Sequence, residues 1–232
     1  MIIYGKNSVT EIIKNKPFLI KKLFIRAEQK NEYISLVSGQ KPEYLVKDRF
    51  DALIKDKRNQ GIAADIHDVP LLPLNHLYEK RSDSAVWILL DEIQDPHNLG
   101  SVIRTAYGLG VQGIILAQDR TCGITPAVFT ASAGYAAVLP IIALKNPANS
   151  IKEMKKAGYW IGTVDMNGEI ILGQKKDVIP RPIILVIGNE GEGVRETYKK
   201  NADLSISIPQ INGFNSYNLS VAAALVMWEI MR

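Results

Sequence analysis

The sequence predicts an α/β protein in two parts: a small α/β unit over residues 1–76 and a larger unit with a parallel sheet over residues 85–232, joined by a polar linker at 77–84. Three observations lead to that division. From Val86 onward, apolar runs of strand type alternate with runs of helix type, the pattern of a parallel sheet covered by helices. Ahead of it, Val69-Pro70-Leu71-Leu72-Pro73-Leu74 and the polar run at 79–84 interrupt both periodicities. Three segments, at 91–105, 187–193 and 208–220, are more polar and richer in glycine than their surroundings. Each follows an apolar run and precedes a helical one, where open α/β folds build their sites.

Each element has its own signal. Ser8 with Glu11 has the form of a capping box for a short helix through Ile12 and Ile13. Lys22-Leu23-Phe24-Ile25-Arg26 alternates as a strand, a polar helix follows at about 29–37, and Tyr44-Leu45-Val46 reads as the next strand. Asp48 is placed to cap a helix over 49–55, and Gly61-Ile62-Ala63-Ala64-Asp65-Ile66 closes the unit as a strand. Val86-Trp87-Ile88-Leu89-Leu90 is continuously apolar, as strands buried on both faces are. A helix over about 99–109 and a strand at Gly113-Ile114-Ile115-Leu116-Ala117 come next. Thr125-Pro126 joins an N-cap to a proline at the first helical position, opening a helix to about residue 134. Later strands fall at 159–164, 183–187 and 204–208. The final helix, about 220–231, is apolar nearly all round and needs cover on more than one side, from the core or from a second subunit.

Composition narrows the class. The 232 residues are 47% hydrophobic and 22% charged, as in soluble globular proteins. No apolar run approaches the ~18 residues of a membrane span. Met1-Ile2-Ile3-Tyr4 lacks the basic region and apolar core of a signal peptide. The single cysteine, Cys122, excludes an internal disulfide and fits a reducing, cytoplasmic setting. Nothing beside it in sequence lowers a thiol pKa, so it reads as a packed residue. Residues 1–76 hold 13 Lys and Arg against 9 Asp and Glu, while residues 77–232 hold 15 of each. The net charge of +4 therefore belongs to the first part, which suits a polyanionic partner.

Several familiar chemistries are absent. Gly108-Leu109-Gly110-Val111-Gln112-Gly113 matches the dinucleotide pattern but ends a helix instead of opening one, so it reads as a helix C-cap and turn. His67, His76 and His97 are not at ligand spacing with one another or with Cys122, so no metal site is expected. Gly188, Gly191 and Gly193 follow a strand without the Gly-Lys-Ser/Thr of a phosphate loop. Glu190 and Glu192 would repel phosphate, which favours a neutral or cationic ligand there. Arg104 stands out because, of its helical neighbours Gly100, Ser101, Tyr107 and Gly108, three are small, leaving its face open to something large. Val102, Ile103, Ala106 and Leu109 define the buried side of that helix.

These segments resemble the motifs of the SpoU (TrmH-like) RNA ribose 2'-O-methyltransferases of the SPOUT superfamily. Asp95, Pro96, Asn98, Gly100, Ser101 and Arg104 fit the first motif; Ile187-Gly188-Asn189-Glu190-Gly191-Glu192-Gly193 fits the second; Ile208-Pro209 and Ser216-Tyr217-Asn218-Leu219-Ser220 fit the third. Tyr4-Gly5 and Asn59-Gln60-Gly61-Ile62 are similar to the family's small RNA-binding domain. The resemblance spans nearly the whole chain and is closest to the branch acting on a guanosine of large-subunit (23S) ribosomal RNA. It implies a parallel sheet with a deep C-terminal trefoil knot, S-adenosyl-L-methionine as methyl donor, and a homodimer that completes the site. It implies Arg104, Asn98, Glu190, Ser216 and Asn218 as catalytic residues, and Thr163, Gly188, Ile208 and Tyr217 as cofactor contacts. Motif three departs from the family at Gln210, Asn212 and Tyr217, which bears on the shape of the donor pocket. A transfer-RNA target and a non-catalytic RNA-binding or ribosome-assembly role are the alternatives at this stage.

Overall fold

The computed structural model describes residues 1–37, 39–79, 81–117, 121–174, 179–189, 191–211 and 216–232, and for residues 147 and 148 the backbone alone. In chain order the first elements are β1 (Ile2–Tyr4), α1 (Lys6–Asn15), β2 (Ile20–Arg26), α2 (Lys30–Tyr33), β3 (Glu43–Leu45), α3 (Lys47–Leu53) and β4 (Ile62–Ile66). Then come α4 (His76–Glu79), β5 (Val86–Leu90), α5 (Pro96–Leu109), β6 (Gly113–Ala117), α6 (Pro126–Ala131), β7 (Ile141–Leu144) and α7 (Pro147–Lys156). The chain ends with β8 (Trp160–Val164), β9 (Ile170–Ile171), β10 (Ile183–Ile187), α8 (Glu196–Lys199), β11 (Leu204–Ser207) and α9 (Leu219–Met231).

The described residues form two compact units, the first joining residues 1–70 to 123–138 and the second joining 71–122 to 139–232. In the first, the sheet order is β1-β4-β2-β3, with β4 antiparallel to both neighbours and β3 parallel to β2. Phe24, Phe50, Ile54 and Ala63 build a buried cluster on it. Asn59-Gln60-Gly61 is a tight turn: Gln60 has φ +54°, Asn59 Oδ1 accepts from the Gly61 N–H at 2.9 Å, and the Tyr33 hydroxyl donates to the Gln60 carbonyl at 2.6 Å.

Local signals in this unit are partly overridden by packing. Ser8 does not cap α1, which begins at Lys6 behind Gly5; instead Ser8 is buried and its hydroxyl donates to the Phe129 carbonyl at 3.2 Å. Nor does Asp48 cap α3, which starts one residue before it with no side-chain cap. The polar helix expected at 29–37 contracts to the single turn of α2, whose one buried residue is Tyr33. The sequence places residues 123–138 with the second part, yet they pack with residues 1–70. Gly134 explains the fit: its φ is +93°, and a Cβ there would lie 2.8 Å from the Ser8 carbonyl oxygen.

In the second unit seven strands run parallel in the order β7-β6-β5-β10-β8-β11-β9. Trp87, Leu89, Ile115, Ile142, Ile184 and Val186 pack as one core beneath them. Thr125 caps α6 as its Thr-Pro pair predicts, and Gly110, at φ +77°, is the C-cap that ends α5 ahead of β6. The strand β7, the helix α7 and the short elements β9 and α8 have no counterpart in the sequence reading, and α4 lies across the expected linker. Chain order reverses where β10 settles beside β5, so the loops after β5, β8, β10 and β11 share one edge of the sheet. Helix α9 packs along α5 and leaves Val221, Leu225 and Trp228 exposed. Among the described residues no helix is long and apolar enough to cross a membrane.

Placing a Cβ at residue 134 tests the attachment of 123–138. Gly134→Ala should lower the stability of the first unit by about 1–3 kcal/mol, the usual cost of forcing a side chain into left-handed backbone. Urea denaturation followed through tyrosine fluorescence measures it, and an unchanged midpoint would mean that this segment does not brace the unit.

Candidate active site

The loop after β10 is folded back on itself by its small residues. A Cβ on Gly188 would lie 2.0 Å from the Gly193 carbonyl carbon, so only glycine permits that approach. Asn189 closes the turn: its Oδ1 accepts from the N–H groups of Gly191 and Glu192 at 2.9 and 2.6 Å. The Asn189 side-chain amide then donates to Glu92 Oε2 at 3.3 Å, joining this loop to the one after β5.

A second tie runs deeper. Asp91, 1% exposed, follows β5 and accepts both fork hydrogen bonds of Arg195, from Nε at 2.8 Å and from Nη2. Arg195 Nη1 also lies 3.6 Å from Glu92 Oε1. The carboxylate of Asp91 holds the guanidinium pKa above its ordinary value. Glu92 adopts φ +59°, a conformation that costs a non-glycine residue on the order of 1–3 kcal/mol and persists because its carboxylate is held at both oxygens.

Two adjoining cavities result. The first, about 300 Å³, is walled by Val164, Asp165 and Asn167 after β8, by the loop after β10, and by Ile208, Gln210, Ser216 and Tyr217 after β11. Leu219 and Ala222 of α9 and Lys199 of α8 complete it. The second, about 440 Å³, is walled by Glu92, Gln94, Asp95 and Asn98, and shares Asn189, Gly191, Glu192 and Leu219 with the first.

Of the residues singled out by sequence, Gly188, Ile208, Ser216 and Tyr217 border the first cavity and Asn98 borders the second. Thr163 is buried beside Val164 and does not border the first cavity. Asn218 is the N-cap of α9, its Oδ1 accepting from Ser220 N–H at 3.0 Å and from the Ser220 hydroxyl at 2.6 Å. Arg104 is exposed on α5 and borders neither cavity, and among the described residues none pairs with its guanidinium. Glu190 and Asn212 lie outside the described residues. Cys122 is half-buried and its thiol pKa is pushed up by burial and by Asp95, so it is not activated as a nucleophile. The pairing of Asp91 with Arg195 and of Asp165 with Lys199 was not legible, because ion pairs across about a hundred and about thirty residues leave no local pattern.

The family models decide the identity: residues 85–228 match the SpoU rRNA methylase family, and residues 2–71 match the RNA 2'-O ribose methyltransferase substrate-binding domain. The chain belongs to the SpoU methylase family. Members of that family are S-adenosylmethionine-dependent RNA 2'-O-methyltransferases. This SpoU chain is 33% identical over 239 residues to the 23S rRNA (guanosine-2'-O-)-methyltransferase RlmB of Coxiella burnetii, covering 99% of this chain and 94% of that one. It is 31% identical over 238 residues to YacO of Bacillus subtilis, named for the TrmH family of tRNA/rRNA methyltransferases, covering 99% and 94%. In fold it is similar to the SpoU methyltransferase AviRb of Streptomyces viridochromogenes, solved with AdoMet, at TM-score 0.80 and 20% identity over 100% of this chain and 89% of that one.

Removing the fork tests the brace. Arg195→Ala leaves Asp91 buried without its partner, a change that typically costs about 3–5 kcal/mol. Chemical denaturation should register that loss, and a loss below about 1 kcal/mol would mean the pair does not hold these loops together.

Proposed function

We propose that this chain transfers the methyl group of S-adenosyl-L-methionine to a ribose 2'-OH of 23S ribosomal RNA, at a guanosine, acting in the cytoplasm as a homodimer. The observation that carries the reading is the meeting of the three motif segments around one pair of cavities. The RlmB relatives, named for a 23S rRNA guanosine, support the target. The basic excess of residues 1–76 suits a structured RNA.

The residues present fit the donor. The first cavity combines apolar walls (Val164, Ile187, Ile208, Leu219) with backbone of Gly188 and Tyr217 for a purine, and its described charges are Asp165, Glu192 and Lys199. That set is net negative, matching a ligand that carries a sulfonium. Thr163 acts from beneath, fixing the strand end that presents Val164. When bound, the donor supplies an electrophilic methyl carbon. A ribose 2'-OH is a weak nucleophile at neutral pH, and alignment alone can contribute roughly 7–11 kcal/mol towards its attack. A guanidinium offers donors and no acceptor, so Arg104 does not serve as base. Its part is to hold a phosphate of the substrate and polarise the 2'-oxygen. Asn98, Ser216, Asn218 and Glu190 orient the arginine, the ribose and the loop.

The homodimer reading rests on α9 and on Arg104. Val221, Leu225 and Trp228 form one apolar stripe with spacing four and three, and Trp228 is 57% exposed. A second copy covers that stripe and brings Arg104 to the neighbouring donor site. We assign the trefoil knot to the C-terminal part; the entry of β10 between β5 and β8, though β8 precedes it in the chain, supports that threading.

Arg104→Ala should abolish methyl transfer to 23S rRNA while leaving donor affinity within a few-fold. Tritiated-methyl incorporation and calorimetry read the two quantities, and near-normal turnover would refute the assignment. Transfer-RNA transcripts in the same assay report the other target. Trp228→Glu should convert the protein to a monomer by light scattering at micromolar concentration and suppress transfer; a wild-type monomer mass would count against the dimer.

A further inference from the structure

Asp165 and Lys199 border the first cavity and not the second. They face each other as a closed ion pair, Lys199 Nζ to Asp165 Oδ2 at 2.6 Å. Asp165 Oδ1 also accepts from the Asn167 N–H at 3.1 Å, and the Asp165 N–H donates to the Ile206 carbonyl at 2.9 Å. Both the backbone and the carboxylate of Asp165 are therefore fixed immediately after β8. Lys199 keeps that carboxyl below its ordinary range, so it is anionic at neutral pH.

We propose that Asp165, held in place by Lys199, accepts the cis-diol of the donor's ribose and sets the depth at which the nucleoside sits in the cavity. This rests on the methyl-donor reading above. An ionised carboxylate offers about four lone-pair sites, and the two contacts described leave room for more. Two hydroxyls on adjacent carbons donate readily to such a group, and bonds to an ionised acceptor are shorter and stronger than neutral ones. Acidic residues take ribose hydroxyls in dinucleotide-binding sheets for the same reason.

The donor's other polar end, its amino-acid tail, is a zwitterion. Its carboxylate is repelled by Asp165 and could meet Lys199 only if the pair opened, giving up a charge-assisted contact of 2.6 Å. The neutral diol leaves the pair closed. Because neither residue borders the second cavity, the group they meet is not the one that reacts.

Calorimetry on the full chain separates these possibilities. The probes are S-adenosylmethionine, 5'-methylthioadenosine, which keeps the diol and lacks the tail, and the 2'-deoxy and 3'-deoxy forms of the latter. Wild-type protein should bind the deoxy forms about 10-fold more weakly than methylthioadenosine. Asp165→Ala should weaken the donor and methylthioadenosine alike, by about 10-fold or more, and lose the sensitivity to the missing hydroxyl. Asp165→Asn, which keeps one acceptor oxygen, should fall between them. Unchanged methylthioadenosine affinity in Asp165→Ala would overturn the proposal, since the contact would then be to the tail. Equal binding of the deoxy forms by wild-type protein would overturn it too, and that arm stands even if the alanine variant does not fold. If wild-type protein binds neither the donor nor methylthioadenosine, the methyl-donor reading itself fails, and this inference falls with it.

Discussion

The deepest tie between the loops of the site is one ion pair, with its carboxylate buried. Asp91 follows directly on β5, whose last residue, Leu90, lies in register with Ile187 at the end of β10. The Asp91 N–H continues the ladder to the Ile187 carbonyl at 3.0 Å, which turns its carboxylate towards the returning loop and Arg195. Sheet register thus delivers the anion, and the hairpin at Gly188 and Gly193 delivers the cation. Because Asn189, Gly191, Glu192 and Leu219 border both cavities, the shapes of the two are linked through one wall. The left-handed Glu92 belongs to the same constraint: its strain is tolerated because Asn189 and Arg195 hold its carboxylate from two sides.

Charge is divided to match. The positive excess of the chain belongs to residues 1–76, whereas the described cavity walls carry Glu92, Asp95, Asp165 and Glu192 against Lys199. A polyanion gains most of its binding energy from distributed cations, so cations concentrated in residues 1–76 suit RNA binding without cancelling the acidic charge of the cavity walls. The acidic walls repel phosphate from the pocket proposed for the sulfonium. Specific approach then requires a cation that belongs to neither pool, the part proposed for Arg104 on α5.

The three motif segments were legible because glycine and short polar side chains at strand ends are a local signal, and a loop that must turn back at Gly188 cannot disguise its composition. The strands of the larger unit were legible for the same kind of reason: buried parallel strands such as β5 and β10 are apolar at every position. Ser8 misled because a hydroxyl that fits a cap also fits a buried carbonyl, and contact with Phe129 decided between them. Short β7 carries too few residues for a period to emerge. The attachment of residues 123–138 to residues 1–70 depends on the missing Cβ of Gly134, which no reading of the intervening chain reveals. The pair of Asp165 with Lys199 is of the same kind, a contact made by the order of strands and not by spacing.

The sequence also leaves open why the proposed catalytic arginine has no ion-pair partner among the described residues. Gly100, Ser101 and Gly108 bring no carboxylate to Arg104 along its helix, although the same protein neutralises Arg195, Arg26 and Arg58 with carboxylates. A guanidinium already forked onto a carboxylate would have to leave that partner before meeting a phosphate, and the cost would be charged to every turnover. Solvent exposure avoids that cost, since water is displaced more cheaply than a fixed anion. The disposition is useful only if something brings the donor site to the arginine, because Arg104 borders neither cavity of its own subunit. An apolar stripe on α9, the helix that packs along α5, is the surface through which a second copy would do so. On this reading the exposed arginine and the exposed tryptophan are one design, the reactive group and the contact that positions it.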